Sequence, residues 1–289
     1  MSLASAVAAV PRLLAPREFR LFQRLIEDEA GIHLVNAKRV LVEGRLARRL
    51  RELDLDFPAY YALVEADAQE RVRMLDCIST NETHFFREPR QFEFLENRLL
   101  PEWQARVQSL GLSRRFRVWS AGCSTGEEPC SVAMSFLARF PPGSGFGIEI
   151  LATDLSSRVL EKARAGVFPL EKSNEIRASY LKTFMLKGTG PQAGRMKAGP
   201  ELRAVVRYER LNLNGASCDL AEHFDLILCR NVLIYFDAAA KERVVARLLG
   251  RLGPDGHLFL GHAETLTGLK TRTLSVGPTV YRHARRPPS

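Results

Sequence analysis

No stretch of this 289-residue sequence approaches the ~18 consecutive apolar residues that a membrane-spanning helix needs. The segment Met1 to Pro16 is rich in Ala, Val and Leu, but no cation precedes its apolar part. It makes a poor secretory signal and reads as a frayed tail or a weak first helix. Cysteine is sparse and scattered: Cys77, Cys123, Cys130, Cys218 and Cys229 form no CxxC pair and stand beside no histidine cluster. That argues against a disulfide framework and against a structural zinc site, and no metal is expected. Internal repeats and low-complexity tracts are also missing. These absences leave a globular protein, expected in the cytoplasm.

What is present is ordinary in bulk. Hydrophobic residues make up 46% and charged residues 26%, enough apolar material for a packed core. The length implies two domains or one large one. The 42 Lys plus Arg exceed the 33 Asp plus Glu, a net charge of +9. The excess suits an acidic partner or an anionic ligand without choosing among nucleic acid, membrane headgroups and acidic proteins, and simple solubility would explain it too.

Residues 1–77 read as an all-helical domain. After Pro16, the positions Phe19, Phe22, Leu25, Ile26 and Ala30 recur at helical spacing, and Gly31 stops the run. A second helix is predicted from about Ala37 to Leu53, with Val42, Leu46, Leu50 and Leu53 on one stripe. Lys38, Arg45, Arg48 and Arg49 share an adjoining arc, which is either a solvated flank or a docking face for an acidic partner. Two shorter helices follow, at about 58–66 and 68–77.

Residues 78–289 read as a second domain in which strands and helices alternate from about Arg114. Strands are predicted at Phe116 to Ser120, Gly147 to Thr153, Phe224 to Cys229, Gly256 to Gly261 and Pro278 to Arg282. Helices are predicted at Pro129 to Phe140, Ser156 to Ala165 and Ala238 to Leu252. This pattern implies a doubly wound, mostly parallel sheet. Between about 184 and 211 the alternation breaks into short, glycine-punctuated segments such as Ala204 to Tyr208, read as a small antiparallel β insertion.

Ligands of open α/β sheets sit beyond the carboxyl ends of the strands, so chemistry is sought there. The first strand runs into Ser120-Ala-Gly-Cys-Ser-Thr-Gly-Glu-Glu128. This is no GxGxxG loop, and two glutamates at the helix start are wrong for a phosphate. They suit a ligand with positive groups and no phosphate, such as S-adenosylmethionine with its sulfonium and ammonium; an acid-capped helix start is the alternative. The second strand ends in Asp154, placed to accept hydrogen bonds from ribose hydroxyls or else to cap the next helix. Asn212 and Leu213 precede the third strand and suit an adenine edge and face, or an ordinary turn. Arg230 and Asn231 leave the strand Phe224 to Cys229 directly into the expected cleft, and Tyr235 follows as a cleft residue or a structural aromatic. Upstream of the sheet, Ser79 to Glu88 packs polar and aromatic groups together and is either part of the site or a linker anchored at Phe85 and Phe86.

The set TNETHFFRE, VWSAGCSTGEEP, ATDLS, ILCRNVLIYF and PDGHLFLGHAE, in that order and spacing, resembles the bacterial chemotaxis receptor methyltransferase family (CheR) from about Pro16 to Tyr281. The resemblance implies a Rossmann-like, S-adenosylmethionine-dependent methyltransferase sheet with a small antiparallel insertion, preceded by a helical N-terminal domain. It implies methyl transfer from S-adenosyl-L-methionine to glutamate side chains on the cytoplasmic helical bundle of methyl-accepting chemoreceptors, giving glutamate methyl esters and S-adenosyl-L-homocysteine. Family cofactor-binding positions fall on Asn81, Thr83, Arg87, Glu127, Asp154, Asn212, Leu213, Arg230 and Asn231, and catalytic interest on Arg87 and Tyr235. The insertion resembles a subdomain that in some members grips a receptor's C-terminal peptide, through Lys187-Gly-Thr-Gly-Pro191. Cys130, in place of a common aromatic, and the extra thiol of Cys123 depart from the family pattern. A monomer is expected, with no nucleic acid bound and no membrane insertion.

The chemistry is consistent with that. A glutamate carboxylate, pKa about 4.3, is ionised at neutral pH and needs no general base to attack a sulfonium methyl. Two rivals remain. A nucleic-acid methyltransferase suits the +9 charge, but would want an Asn-Pro-Pro-aromatic turn where this chain has Arg230-Asn-Val-Leu233. A sensing or adaptor protein would retain the fold without turnover, against which Arg87, Asp154 and Tyr235 argue.

Overall fold

The computed structural model describes residues 13–215, 220 and 222–284. Cys218 and most of the segment Met1 to Pro16 lie outside the described residues. The chain divides into two compact units, one ending at Thr80 and one beginning at Asn81.

Among the described residues the first unit holds the α-helices α1 (Pro16–Ala30), α2 (Arg39–Leu53), α3 (Phe57–Ala66) and α4 (Ala68–Ile78), with a 3-10 turn (Asn36–Lys38) leading into α2. In α1, Phe19, Phe22, Ile26 and Ala30 are buried at the spacing that the sequence displays. Gly31, at φ 70°, ends it by donating its amide to the Glu27 carbonyl, a left-handed position that favours glycine. Asp56 and Asp67 cap α3 and α4 through Ala59 N and Gln69 N. The Phe22 ring sits 6.2 Å from those of Phe57 and Tyr60 and 5.3 Å from Tyr61.

The basic arc of α2 is largely engaged within this unit. Arg49 makes a two-pronged bond to Glu70, Nε to Oε1 at 2.7 Å and Nη2 to Oε2 at 2.6 Å. Glu70 is 2% exposed and also accepts the Tyr60 hydroxyl and Arg73. Arg45 donates to the Ile78 carbonyl at the end of α4 and to the Thr80 hydroxyl. Only Lys38 and Arg48 of the four are fully at the surface, and Arg48 pairs with Glu52. The periodicity places these cations on one face, but it cannot show an acid twenty-one residues away closing on one of them.

The second unit begins with α5 (Pro89–Phe94) and α6 (Leu100–Ser109), joined by a π-helical turn. Then come β1 (Arg115–Ala121), α7 (Glu127–Arg139), β2 (Gly147–Asp154) and α8 (Ser157–Ala165). The insertion holds β3 (Val167–Pro169), a 3-10 turn (Leu170–Glu175), α9 (Ala178–Phe184), β4 (Met185–Lys187) and β5 (Arg195–Ala198). The chain returns through α10 (Pro200–Ala204), β6 (Val206–Arg210), β7 (Phe224–Cys229), α11 (Ala238–Arg251), β8 (Leu252–Leu260), β9 (Thr273–Gly277) and β10 (Val280–His283).

The large sheet has the order β6-β2-β1-β7-β8-β10-β9. Its first five strands are parallel, and β10 and β9 close it as an antiparallel hairpin. The small sheet is antiparallel, with order β3-β5-β4. Two limits therefore differ from the sequence reading. The small sheet starts at Val167, because its first strand is three residues long and too short to show alternation. Val206 to Tyr208 belongs instead to the edge of the large sheet, where Ile150 pairs with Val206 and Asp154 with Arg210. The sheet also carries β9, which the sequence reading lacks.

Chain order runs outward from β1 to β2 and β6 on one side, and from β7 to β8 on the other. The reversal between β1 and β7 opens a crevice at their carboxyl ends, where doubly wound folds bind ligands. Beneath it, Trp103 is packed edge-on against Phe116, Phe136, Phe140 and Phe146 on one face of the sheet. On the other, Trp119 donates its indole N–H to the Thr153 hydroxyl at 2.9 Å.

Candidate cofactor and methyl-transfer site

The loop after β1 is drawn onto the end of β2. Gly122 N and Cys123 N both donate to the Thr153 carbonyl, at 2.8 and 2.9 Å. Ser124 N donates to Asp154 Oδ2 at 2.9 Å, and the Ser124 hydroxyl reaches the Asn81 carbonyl at 3.0 Å. The glycines are needed for close approach. A Cβ on Gly122, at φ 89°, would lie 2.4 Å from a Val232 methyl, and one on Gly126, at φ 97°, would lie 3.1 Å from the Tyr208 hydroxyl and from Ala163.

Asp154 does not cap α8. Ser156 does, through Val159 N, while Asp154 Oδ1 accepts Ser156 N at 2.9 Å. Leu211 N donates to the Asp154 carbonyl, which joins the end of β6 to the same corner. Beyond it, Asn212 Oδ1 accepts Asn214 N, and the Leu213 carbonyl is held by Arg247 of α11 at 2.7 Å. Glu127 is buried at the first turn of α7. Its Oε1 accepts Lys172 Nζ at 2.6 Å and its Oε2 the Thr125 hydroxyl at 2.7 Å; the same lysine donates to the Thr83 carbonyl at 2.8 Å.

The segment Asn81 to Glu88 is anchored at its two phenylalanines. Phe85 stacks edge-on against Phe168 and gives its amide to Glu175; Phe86 packs on Phe92 and gives its amide to Ser131. Phe86 and Glu88 both hold positive φ, at 51° and 61°. Arg87, between them, is half-buried, and its guanidinium makes one hydrogen bond among the described residues, to the Glu82 carbonyl at 3.2 Å.

Arg230 is placed quite differently. Its side chain is 2% exposed. It lies 3.3 Å from Glu88 and 3.2 Å from Glu128, donates to the Arg87 carbonyl, and stands over the Phe92 ring. Glu128 takes the Ser120 hydroxyl as well; burial pushes its carboxyl upward against the pull of Arg230. Asn231 follows at φ 59°, and its Oδ1 is buried without a partner. Its amide, with those of Gly261 and Ile234, points at Glu264, at 2.9, 2.6 and 3.3 Å. The turn Leu233–Tyr235 presents a half-buried Tyr235 whose hydroxyl has no partner among the described residues.

All ten predicted positions thus lie on linked loops at one end of the sheet. The sequence reading missed Lys172, Glu88 and Glu264 as parts of it, and took Glu128 for a ligand acid where the structure pairs it with Arg230. Glu88, Glu128 and Glu264 stand inside motifs already singled out, but Lys172 lies in the insertion, where no local pattern marks it. Burial pushes the Cys123 thiol up and that of Cys130 up to about 12, so both are packed as neutral thiols.

The arrangement fits S-adenosylmethionine. The loop offers carboxylates where a nucleotide phosphate would need amides, Asp154 stands at the carboxyl end of β2, and Asn231 retains an unpaired buried oxygen. Comparison with known proteins agrees. Residues 81–281 match the SAM-binding domain of the CheR methyltransferases, and residues 17–79 match their all-alpha domain. The chain is 38% identical to chemotaxis protein methyltransferase 2 of Pseudomonas aeruginosa over 271 residues, 92% of this chain and 93% of that one. It is 38% identical to the chemotaxis protein methyltransferase of Escherichia coli over 93% and 91% of the two chains, and 34% identical to that of Borreliella burgdorferi over 90% and 91%. On two matching domains and these near full-length relatives, the chain belongs to the CheR methyltransferase family, with S-adenosylmethionine as its methyl donor.

Proposed function

We propose that the chain methylates glutamate side chains on the cytoplasmic helices of methyl-accepting chemoreceptors, releasing S-adenosylhomocysteine. Bound S-adenosylmethionine supplies an electrophilic methyl on a sulfonium. The observation that carries the carboxylate substrate is Arg87. Among the cations of the site it is the one with most of its donors uncommitted, whereas Arg230 is buried and held by two carboxylates and a carbonyl. A free guanidinium matches a carboxylate with two parallel bonds. Tyr235, with its hydroxyl unpartnered, steers the other side of the same group.

A carboxylate nucleophile arrives ionised, so the protein's task is orientation and exclusion of water. Near-attack positioning is worth roughly 7–11 kcal/mol. Asn81, Thr83, Glu127, Asp154, Asn212, Leu213 and Asn231 line the cofactor side of this reading. Arg230 serves it from behind, by fixing the carbonyl of Arg87 and the backbone leading to Asn231. Lys38, just before α2, and Arg48 and Arg51 on it are exposed cations that would meet a glutamate-rich bundle, and the strands β3 to β5 with the loop Lys187 to Pro191 are where a receptor's C-terminal peptide would be gripped. The work is done in the cytoplasm by a monomer.

The test is tritiated methyl transfer from S-adenosylmethionine to purified receptor, followed by base-labile release of methanol. Label that is base-labile and is lost in Arg87→Gln, with cofactor affinity retained, supports the reading. Base-stable label, or transfer to DNA or RNA in place of receptor, overturns it.

A further inference from the structure

Arg87 stands between two residues at positive φ, Phe86 at 51° and Glu88 at 61°. For a bulky aromatic that conformation is strained, and it persists only where the surroundings over-determine it. On the Glu88 side the restraint comes from the strand ends: Arg230 and the His262 amide hold the Glu88 carboxylate. On the Phe86 side most of it comes from the insertion. Glu175, which ends the 3-10 turn Leu170–Glu175, accepts the Phe85 amide through Oε2 at 2.7 Å. Phe168 of β3 packs edge-on against the Phe85 ring at 4.9 Å. Tyr180 of α9 lies 5.8 Å from the Phe86 ring, and the Arg177 guanidinium stands 5.9 Å over it. From outside the insertion, Ser131 takes the Phe86 amide and Phe92 packs on its ring. Two consecutive amides thus end on side chains, not on a strand or helix ladder.

The start of the same segment has anchors of its own. The Ser124 hydroxyl donates to the Asn81 carbonyl at 3.0 Å, and Lys172 to the Thr83 carbonyl at 2.8 Å. Loss of the Glu175 bond therefore falls on Phe85 and Phe86, and through them on Arg87. We propose that Glu175 is a positioning residue for methyl transfer: it holds the Phe85 amide so that the strained Phe86 carries Arg87 to the substrate carboxylate. This rests on the reading of Arg87 as the partner of that carboxylate. The insertion then serves the reaction itself, apart from any peptide gripped there.

The test is single-turnover methyl transfer from tritiated S-adenosylmethionine to purified receptor, on the full chain, beside calorimetry with S-adenosylhomocysteine. Glu175→Met should slow transfer roughly 10- to 100-fold, the range of a misplacement of about 1 Å. S-adenosylhomocysteine affinity should change by about threefold or less. Glu175→Gln, whose side-chain oxygen still accepts the amide, should restore most of the rate. In an Arg87→Gln background, adding Glu175→Met should cost about twofold or less, because residues that act through one another are not additive. A wild-type rate in Glu175→Met, with Arg87→Gln slow, overturns the proposal and leaves the reading of Arg87 standing. So does a Glu175→Met chain that fails to fold, or that loses rate and cofactor affinity equally, since Glu175 is then a brace of the fold. A full Glu175 effect that persists in the Arg87→Gln background overturns it as well. A wild-type rate in Arg87→Gln overturns the reading of Arg87, and the proposal falls with it.

Discussion

Arg230 separates two accounts of the site, because the sequence places it among cofactor contacts and the structure surrounds it with protein. Its guanidinium faces Glu88 at 3.3 Å and Glu128 at 3.2 Å, with 2% of the side chain exposed. Replacing it with Met keeps volume and removes the charge, which leaves two buried carboxylates without their cation. Breaking such a pair costs about 3–5 kcal/mol, a large part of the roughly 5–15 kcal/mol that holds a domain together. The loss has a pH signature. Burial already pushes Glu128 upward against the pull of Arg230, so without that pull it takes up a proton more readily. Protonation relieves the unpaired charge, and the stability gap between wild type and Arg230→Met should narrow as pH falls. Urea unfolding at pH 8 and pH 5 reads the gap, and calorimetry with S-adenosylhomocysteine reads the site. A variant as stable as wild type that has lost cofactor affinity would falsify the structural role and return Arg230 to the ligand.

Three further outcomes are expected. Asp154→Ala should weaken S-adenosylhomocysteine binding by about 1.5–3 kcal/mol, the value of a hydrogen bond to a charged group; Asp154→Asn, able to retain the bond to Ser156, controls for loosening of the loop, and unchanged affinity in a folded Ala variant removes Asp154 from the ribose corner. Tyr235→Phe should lower turnover and leave cofactor affinity nearly intact; equal loss of both would place Tyr235 in the cofactor pocket or the fold. In the helical unit, Arg49 chiefly, with Arg73 and Tyr60, lowers the Glu70 carboxyl to about 2, worth about 3 kcal/mol at pH 7. A depressed carboxylate stabilises above its unfolded value and loses that contribution as pH falls from about 4.5 toward 2. Arg49→Met should therefore be destabilised at pH 7 with a gap that closes in acid, whereas Arg48→Ala, at 84% exposure, should stay within about 0.5 kcal/mol of wild type. Equal destabilisation by the two would refute the assignment of the arc.

Local signals were read well where one residue decides the outcome. Gly31 ends α1 and Pro16 starts it, because φ preferences act within one turn. The runs Phe116 to Ser120, Gly147 to Thr153 and Phe224 to Cys229 became the three central strands, since strands buried on both faces carry long apolar runs. The β insertion was legible as a break in pattern but not in its limits. Val206 to Tyr208 looks like its neighbours in composition, and register against Ile150 to Ala152 decides its sheet. The site was legible in position and less so in role. Charge and motif membership mark Arg87 and Arg230 alike; burial, which no spacing encodes, leaves most donors of Arg87 uncommitted and encloses Arg230 among protein partners.

That contrast extends to the whole site. Saturated polar groups coincide with strained backbone: Glu88, itself at φ 61°, takes the His262 amide at 3.0 Å and Arg230, and Glu264 gathers the amides around Asn231 at φ 59°. Gly261 permits the approach, since a Cβ there would stand 2.8 Å from Asn231 N and from Glu264 Oε2. Buried carboxylates that face backbone amides hold loops in conformations that side chains otherwise resist, at a cost of about 1–3 kcal/mol per strained residue. The unsaturated groups, Arg87, the Tyr235 hydroxyl and Asn231 Oδ1, are carried by the very segments so clamped. A displacement needs its nucleophile and leaving group aligned closely, and that requires the groups that touch ligand to ride on backbone that cannot relax. Partner count therefore separates two sets in this cleft that charge does not: Arg230, Glu88 and Glu264 are held by protein partners and position the loops, whereas Arg87, the Tyr235 hydroxyl and Asn231 Oδ1 keep bonding capacity on those loops.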